Sequence, residues 1–200
     1  MMLNVGRAVG AMVLTVCGVI SAPPAQAGMP MPTAGPTSQP VGHHDFCSRE
    51  AARCRANDVR AVVKLTPPVW QILQRVNYLA NVRVEPRTDE EVHGVAELWS
   101  YPTTEGDCED YVLYKQRELE SRGLPASALL VTVVRQPNGD GHAVLTVRTN
   151  QGDFILDNLD DRVLAWDVTP YTYLKRQSQA HAGRWVTVED VRDLLVGSVR

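Results

Sequence analysis

The segment from residue 106 to residue 122 constrains this fold more than any other, because it carries a start signal, an apolar stripe and a stop signal. Asp107 suits an N-cap, and Asp110 three residues later suits the acid of a capping box, since both can satisfy N–H groups left open in a first helical turn. Gly123 and then Pro125 end the helix. Cys108, Tyr111, Val112 and Leu119 fall on one face, which aims that face, with Cys108 in its first turn, at a core. Behind the helix the pattern changes to strands. Residues 128–135 are a strand run, 137–141 are dense in turn signals, 142–149 alternate, 150–153 turn again and 154–158 form a further strand. Residues 163–168 read as one more strand and 189–195 as a short closing helix. Ahead of the central helix, residues 68–80 show helical spacing through Trp70, Leu73, Val76 and Leu79 or Ala80. Residues 81–97 give no consistent period. The order implies an α+β domain with helices packed on an antiparallel β-sheet.

The chain has 200 residues, 44% hydrophobic and 22% charged, which argues against a disordered chain or a coiled coil and suits one domain with a real core. A net charge of −3 gives no cause to expect a nucleic-acid partner, which calls for clustered Lys and Arg. Residues 1–27 read as a secretory signal peptide. Arg7 supplies the positive start, residues 8–20 an uncharged apolar run, and Ala25-Gln26-Ala27 a cleavage site. The run is too short for a membrane anchor, so no span remains once the signal is removed. Residues 28–42 carry no charge and are rich in Pro, Gly, Ser and Thr, which reads as a disordered tether. The folded domain is then 43–200.

Export leaves Cys47, Cys54 and Cys108 in an oxidising compartment, where thiols tend to pair. Cys47 and Cys54 are close enough to form a disulfide if the chain between them turns. The rival is a zinc site made with His43 and His44, although the cysteine spacing is wider than usual for zinc. Cys108 is left over, either as a buried inert thiol or as a reactive one. Trp99 and Tyr101, just upstream, belong either to the core or to the wall of a cleft.

A helix N-terminus favours a thiolate, so Cys108 is placed for nucleophilic chemistry. His142 opens one strand and Asp157 closes the next, supplying a base and an acceptor to orient it. A tight turn at 150–153 would set Asp157 opposite Leu145 or Thr146, about 10 Å from His142 at strand rise. With that register Asp160 or Asp161 would lie nearer, unless twist or a bulge closes the gap.

Gly106-Asp107-Cys108-Glu109-Asp110-Tyr111, Gly141-His142-Ala143-Val144-Leu145 and Leu156-Asp157-Asn158-Leu159 resemble the bacterial transglutaminase-like cysteine peptidases, including the LapG-type periplasmic proteases. Phe46-Cys47 with Cys54, Val76-Asn77, Arg176-Gln177-Ser178 and Trp185-Val186 extend the likeness over most of the domain. The resemblance implies a papain-like, transglutaminase-like core with Cys108 as nucleophile, His142 as base and Asp157 as orienting acid. It also implies calcium held by Asp107 and Glu109. That agrees with electrostatics, since Asp107, Glu109 and Asp110 would raise the Cys108 pKa unless a cation cancels them. LapG-type enzymes clip large surface adhesins, so the implied partner is a protein substrate in the cell envelope or at the cell surface, with a membrane-bound regulator possible. The same triad could instead pass its acyl group to an amine, as a transglutaminase or amidase. A non-catalytic binding module is the other alternative, though a degenerate site would then be expected.

Overall fold

In a computed structural model, residues 28–190 are described. The expected signal peptide lies outside them, as does nearly all of the expected closing helix. Strand β1 (Thr33–Thr37) leads into helix α1 (Val41–Arg49) and a short 3-10 turn (Ala51–Cys54). Helix α2 (Pro67–Arg83) follows, capped by the Thr66 side chain and started by proline. Then come β2 (Glu85–Pro86), α3 (Asp89–His93), β3 (Glu105–Gly106) and the central helix α4 (Cys108–Ser121). The described residues end with β4 (Leu129–Arg135), β5 (Gly141–Thr149), β6 (Gly152–Leu156), β7 (Leu164–Ala165), β8 (Thr172–Ser178) and β9 (His181–Val188).

Seven strands form one sheet in the order β1-β9-β8-β4-β5-β6-β7, and every neighbouring pair is antiparallel. This is the helix-on-antiparallel-sheet α+β architecture that the pattern implies. Leu73 and Val76 of α2 and Val112, Leu113 and Leu119 of α4 pack with Ala143, Leu145 and Val147 of β5. Val144 of β5 joins a second cluster with Ile155, Trp166, Tyr173 and Met31. Alternate residues of β5 thus serve two cores, as a strand covered on both faces must.

Residues 28–42 are not a tether. Met31 is buried, its backbone N–H donates to Asp153 Oδ2 at 3.0 Å, and β1 pairs along the edge of β9. A segment with little apolar surface of its own is ordered here by borrowed backbone pairing and one buried methionine. The region without a clear period, residues 81–97, resolves into the end of α2, β2 and α3. A complete capping box of Thr88 and Glu91 starts α3, and Gly94 in the left-handed region (φ 69°) ends it. Among the described residues no helix is long and apolar enough to cross a membrane.

Candidate active site

Helix α4 starts at Cys108, which puts the thiol on its first turn, where open N–H groups and the helix dipole favour negative charge. Asp107 stands at the N-cap position, but its side chain caps nothing. Asp110 is not a capping-box acid either, because its Oδ1 accepts from the Ser100 amide at 2.7 Å, tying the preceding loop to the helix.

β5 begins one residue before His142, and β6 ends one residue before Asp157. The last paired step is Leu145 opposite Leu156, so one further step sets Asp157 opposite Val144. This is nearer to His142 than the tight-turn register suggested, because the turn is closed by residues 150 and 151 alone. The remaining diagonal offset is one that long side chains span. His142 Nε2 and Asp157 Oδ1 are 2.8 Å apart, with the side chains only 3% and 5% exposed. Asp160 and Asp161 are engaged elsewhere. Asp160 pairs with Arg162 at 2.7 Å, and Asp161 accepts from Asn81 at 2.8 Å.

Burial alone would raise the Asp157 pKa. Hydrogen bonds from His142, the Leu159 amide and the Tyr171 hydroxyl outweigh it and hold the carboxyl below its usual value. With Asp157 ionised, the shared proton sits on His142 Nε2 and the Nδ1 lone pair is left to act as a base. Tyr171 is the site residue that the sequence did not reveal. Nothing in its local pattern sets it apart from a core tyrosine, and its link to Asp157 crosses 14 residues that include β7.

Cys108 and His142 line the same cleft of about 300 Å³, with Asp107, Gln136, Asn158 and Leu159. Burial, followed by the Glu109 charge and hydrogen bond, pushes the Cys108 thiol well above its usual pKa, while the Ala143 backbone amide pulls the other way. The thiol donates to Glu109 Oε2 at 2.8 Å. The acids beside it are strained electrostatically as well. Burial and the charges of Glu109, Asp89 and Asp110 push Asp107 up to about 8. Burial is also the main cause that pushes Asp110 up to about 7, against the bond from Ser100. Asp107 Oδ1 is buried with no hydrogen-bond partner among the described residues. Hard oxygen donors that repel one another, one of them unpartnered, fit a divalent cation such as calcium. Asp89, His93 and Asp110 bring ligand atoms within 4.8 Å of one another in the same acidic neighbourhood.

The other expectations resolve away from this cleft. Cys47 and Cys54 are joined by a disulfide, with Cα atoms 5.6 Å apart, so their sulfurs are not zinc ligands. His44 is exposed, whereas His43 is buried between Trp99 and Trp185, with ring centroids 5.2 and 5.3 Å away. Trp99 is therefore core. Tyr101 packs edge-on against Phe46 and lies under the Arg117 guanidinium, so neither aromatic lines the cleft.

The profile of the bacterial transglutaminase-like cysteine proteinases matches residues 33–193. The structure is similar to LapG of Legionella pneumophila after EGTA treatment, with 24% identity over 66% of this chain and 76% of that one and a TM-score of 0.50, a likeness of fold. A second LapG structure matches over 66% of this chain and 75% of that one, with 24% identity and a TM-score of 0.49. The calcium-bound form is 24% identical over 56% of this chain and 66% of that one, with a TM-score of 0.49, so the match spans just under two thirds of its length. No curated protein matches.

Proposed function

Because this chain belongs to the bacterial transglutaminase-like cysteine proteinases, we propose that it is an exported periplasmic protease that cuts a peptide bond in a cell-envelope or cell-surface protein through Cys108, His142 and Asp157. The observation that carries this reading is the buried 2.8 Å pair of His142 and Asp157 opening on the cleft that holds Cys108 at a helix start. His142 Nδ1 takes the thiol proton as sulfur attacks the scissile carbonyl. The tetrahedral oxyanion falls near the N-terminus of α4, where the Cys108 backbone N–H can hold it. His142 returns the proton to the leaving amine as the C–N bond breaks, leaving a thioester on Cys108. Water, deprotonated by His142, then releases the acid and restores the thiol. Asp157 keeps the imidazole in the required tautomer and stabilises its charged form.

Asp107 and Glu109 would hold calcium, which when bound supplies positive charge beside the sulfur. In its absence the thiol is held by Glu109 in the protonated form, so these acids work against the triad unless they are engaged. An amine in place of water would give acyl transfer on the same residues. Comparing surface-protein fragments from cells with the wild-type chain and with Cys108→Ala tests the reading. A fragment pair that needs the intact cysteine supports it, and identical patterns, with no cleavage by either purified protein, overturn it.

A further inference from the structure

A cavity of about 210 Å³ opens beside β1, β5, β8 and β9, lined by Arg60, Arg148 and Arg176 and by no acidic residue. It shares no lining residue with the cleft that holds Cys108. Arg148 stands six residues along β5 from His142, about 20 Å at strand rise. Arg176 is only 4% exposed. Its Nη1 donates to Asp153 Oδ2 at 3.0 Å, whereas its Nε is buried with no partner among the described residues. The Asp153 carboxylate is committed elsewhere as well, since Oδ2 accepts from the Met31 amide at 3.0 Å and Oδ1 from Arg148 Nε at 3.4 Å. One carboxylate therefore serves two guanidiniums. Arg148 is held in place from its other end, where Nη1 donates to Gln179 Oε1, and Gln179 Nε2 in turn donates to the Ala61 carbonyl at 3.0 Å. Arg60, exposed on the loop ahead of Ala61, adds a third positive charge. Ser178 also lines the cavity; its Oγ accepts from the Ala180 amide at 3.2 Å, and its proton has no acceptor among the described residues.

We propose that this cavity binds a phosphate dianion, free or as a phosphomonoester, through the guanidiniums of Arg60, Arg148 and Arg176. Holding like charges around one cavity is costly for a fold unless something of opposite sign offsets them. Burial, helped by the Arg148 charge, pulls the Arg176 guanidinium below its usual pKa, against the pull of Asp153. Asp153 offsets one of the three positive charges and leaves two, which suits a dianion better than chloride or a carboxylate. Planar guanidiniums also match phosphate oxygens in pairs, and a serine hydroxyl adds a neutral donor. The proposal gives a role to Arg176 and Ser178, which the triad does not use, and it does not depend on the triad reading. A bound phosphate would join β5, β8 and the loop ahead of α2.

The test is isothermal titration of the full chain with inorganic phosphate at about pH 8, where phosphate is doubly charged, without added calcium and with ionic strength held constant by chloride. The melting temperature is followed in the same buffers. Saturable binding of one phosphate with a rise in melting temperature is expected. Arg148→Gln should weaken binding about tenfold or more, as the loss of one charge-assisted contact does. Arg60→Gln should weaken it about threefold, because an exposed charge contributes less. Arg60 is exposed, so this variant keeps the fold even if Arg148→Gln is destabilised, and both should label Cys108 at the wild-type rate. Sedimentation with phosphatidylcholine vesicles, with and without phosphatidic acid, separates the two sources. Retention that needs both phosphatidic acid and Arg148 assigns the phosphate to a lipid, no retention assigns it to solution, and each agrees with the proposal. No saturable binding, acetate binding as tightly as phosphate, or a rise in melting temperature that both variants keep in full, as general stabilisation by an excluded salt would give, overturns it and leaves the triad standing.

Discussion

Replacing Glu109 by Gln should speed the chemistry of Cys108 in chelated protein and slow it in calcium. The thiol donates to Glu109 Oε2 at 2.8 Å, so forming the thiolate places two negative charges almost in contact. At an effective dielectric of ~20, unit charges about 4 Å apart repel by about 4 kcal/mol. The cleft is open to water, and taking half of that gives about 2 kcal/mol, roughly 1.5 pKa units, or about thirtyfold more thiolate at a pH below the thiol's pKa. A less basic thiolate is a weaker nucleophile, with a Brønsted slope of about 0.4–0.5, so the net gain in labelling rate is roughly five- to tenfold. Iodoacetamide labelling of Cys108 in EGTA, followed by intact mass, measures it. In calcium the sign reverses, because the neutral amide of the variant is a poorer ligand than the carboxylate it replaces. No acceleration of Glu109→Gln in EGTA would refute the electrostatic reasoning. Equal rates for the wild-type protein in EGTA and in calcium would remove the metal from the account.

Tyr171→Phe removes one of the three hydrogen bonds to the Asp157 carboxylate and should cost about 1–2 kcal/mol of stability, read by urea unfolding, with a several-fold slower labelling rate. His43 is pushed down to about 4 by burial, from 6.5. The unfolded chain therefore binds its proton first as pH falls, and stability is lost between about pH 6.5 and 4, by roughly 3 kcal/mol. A His43→Gln protein should lose that part of the pH dependence in unfolding curves, although it begins less stable. Converting Cys47 and Cys54 together to Ser opens a seven-residue separation and should cost about 2–3 kcal/mol on the chain-entropy model, with Cys108 labelling kept.

The elements that stood out in the sequence are those whose own residues decide them. Helix α4 has its stripe and its Gly123 stop, and β4, β5 and β6 are apolar runs between turn residues, so each was legible within a residue or two. Strands β1, β8 and β9 were not. Their residues alternate weakly, with Lys175, Arg176 and Arg184 among them, and they are strands because neighbours complete their backbone pairing. In the candidate site, the Cys, His and Asp could be named from chemistry and motif, but the approach of His142 and Asp157 depended on a turn two residues tighter than the local pattern suggested. The side chains of Asp107 and Asp110 look like helix caps in sequence and do other work, because their burial and mutual repulsion are tertiary facts.

The most direct test of the central claim is the rate of Cys108 alkylation against pH in calcium-loaded protein, wild type beside His142→Ala. If His142, oriented by Asp157, activates the thiol, wild-type Cys108 reacts faster than a free cysteine at neutral pH and the His142→Ala protein falls well below it, with its inflection moved to higher pH. If the two proteins give superimposable curves, the thiol is not activated by His142, and the account of this chain as a thiol protease working through Cys108, His142 and Asp157 is contradicted.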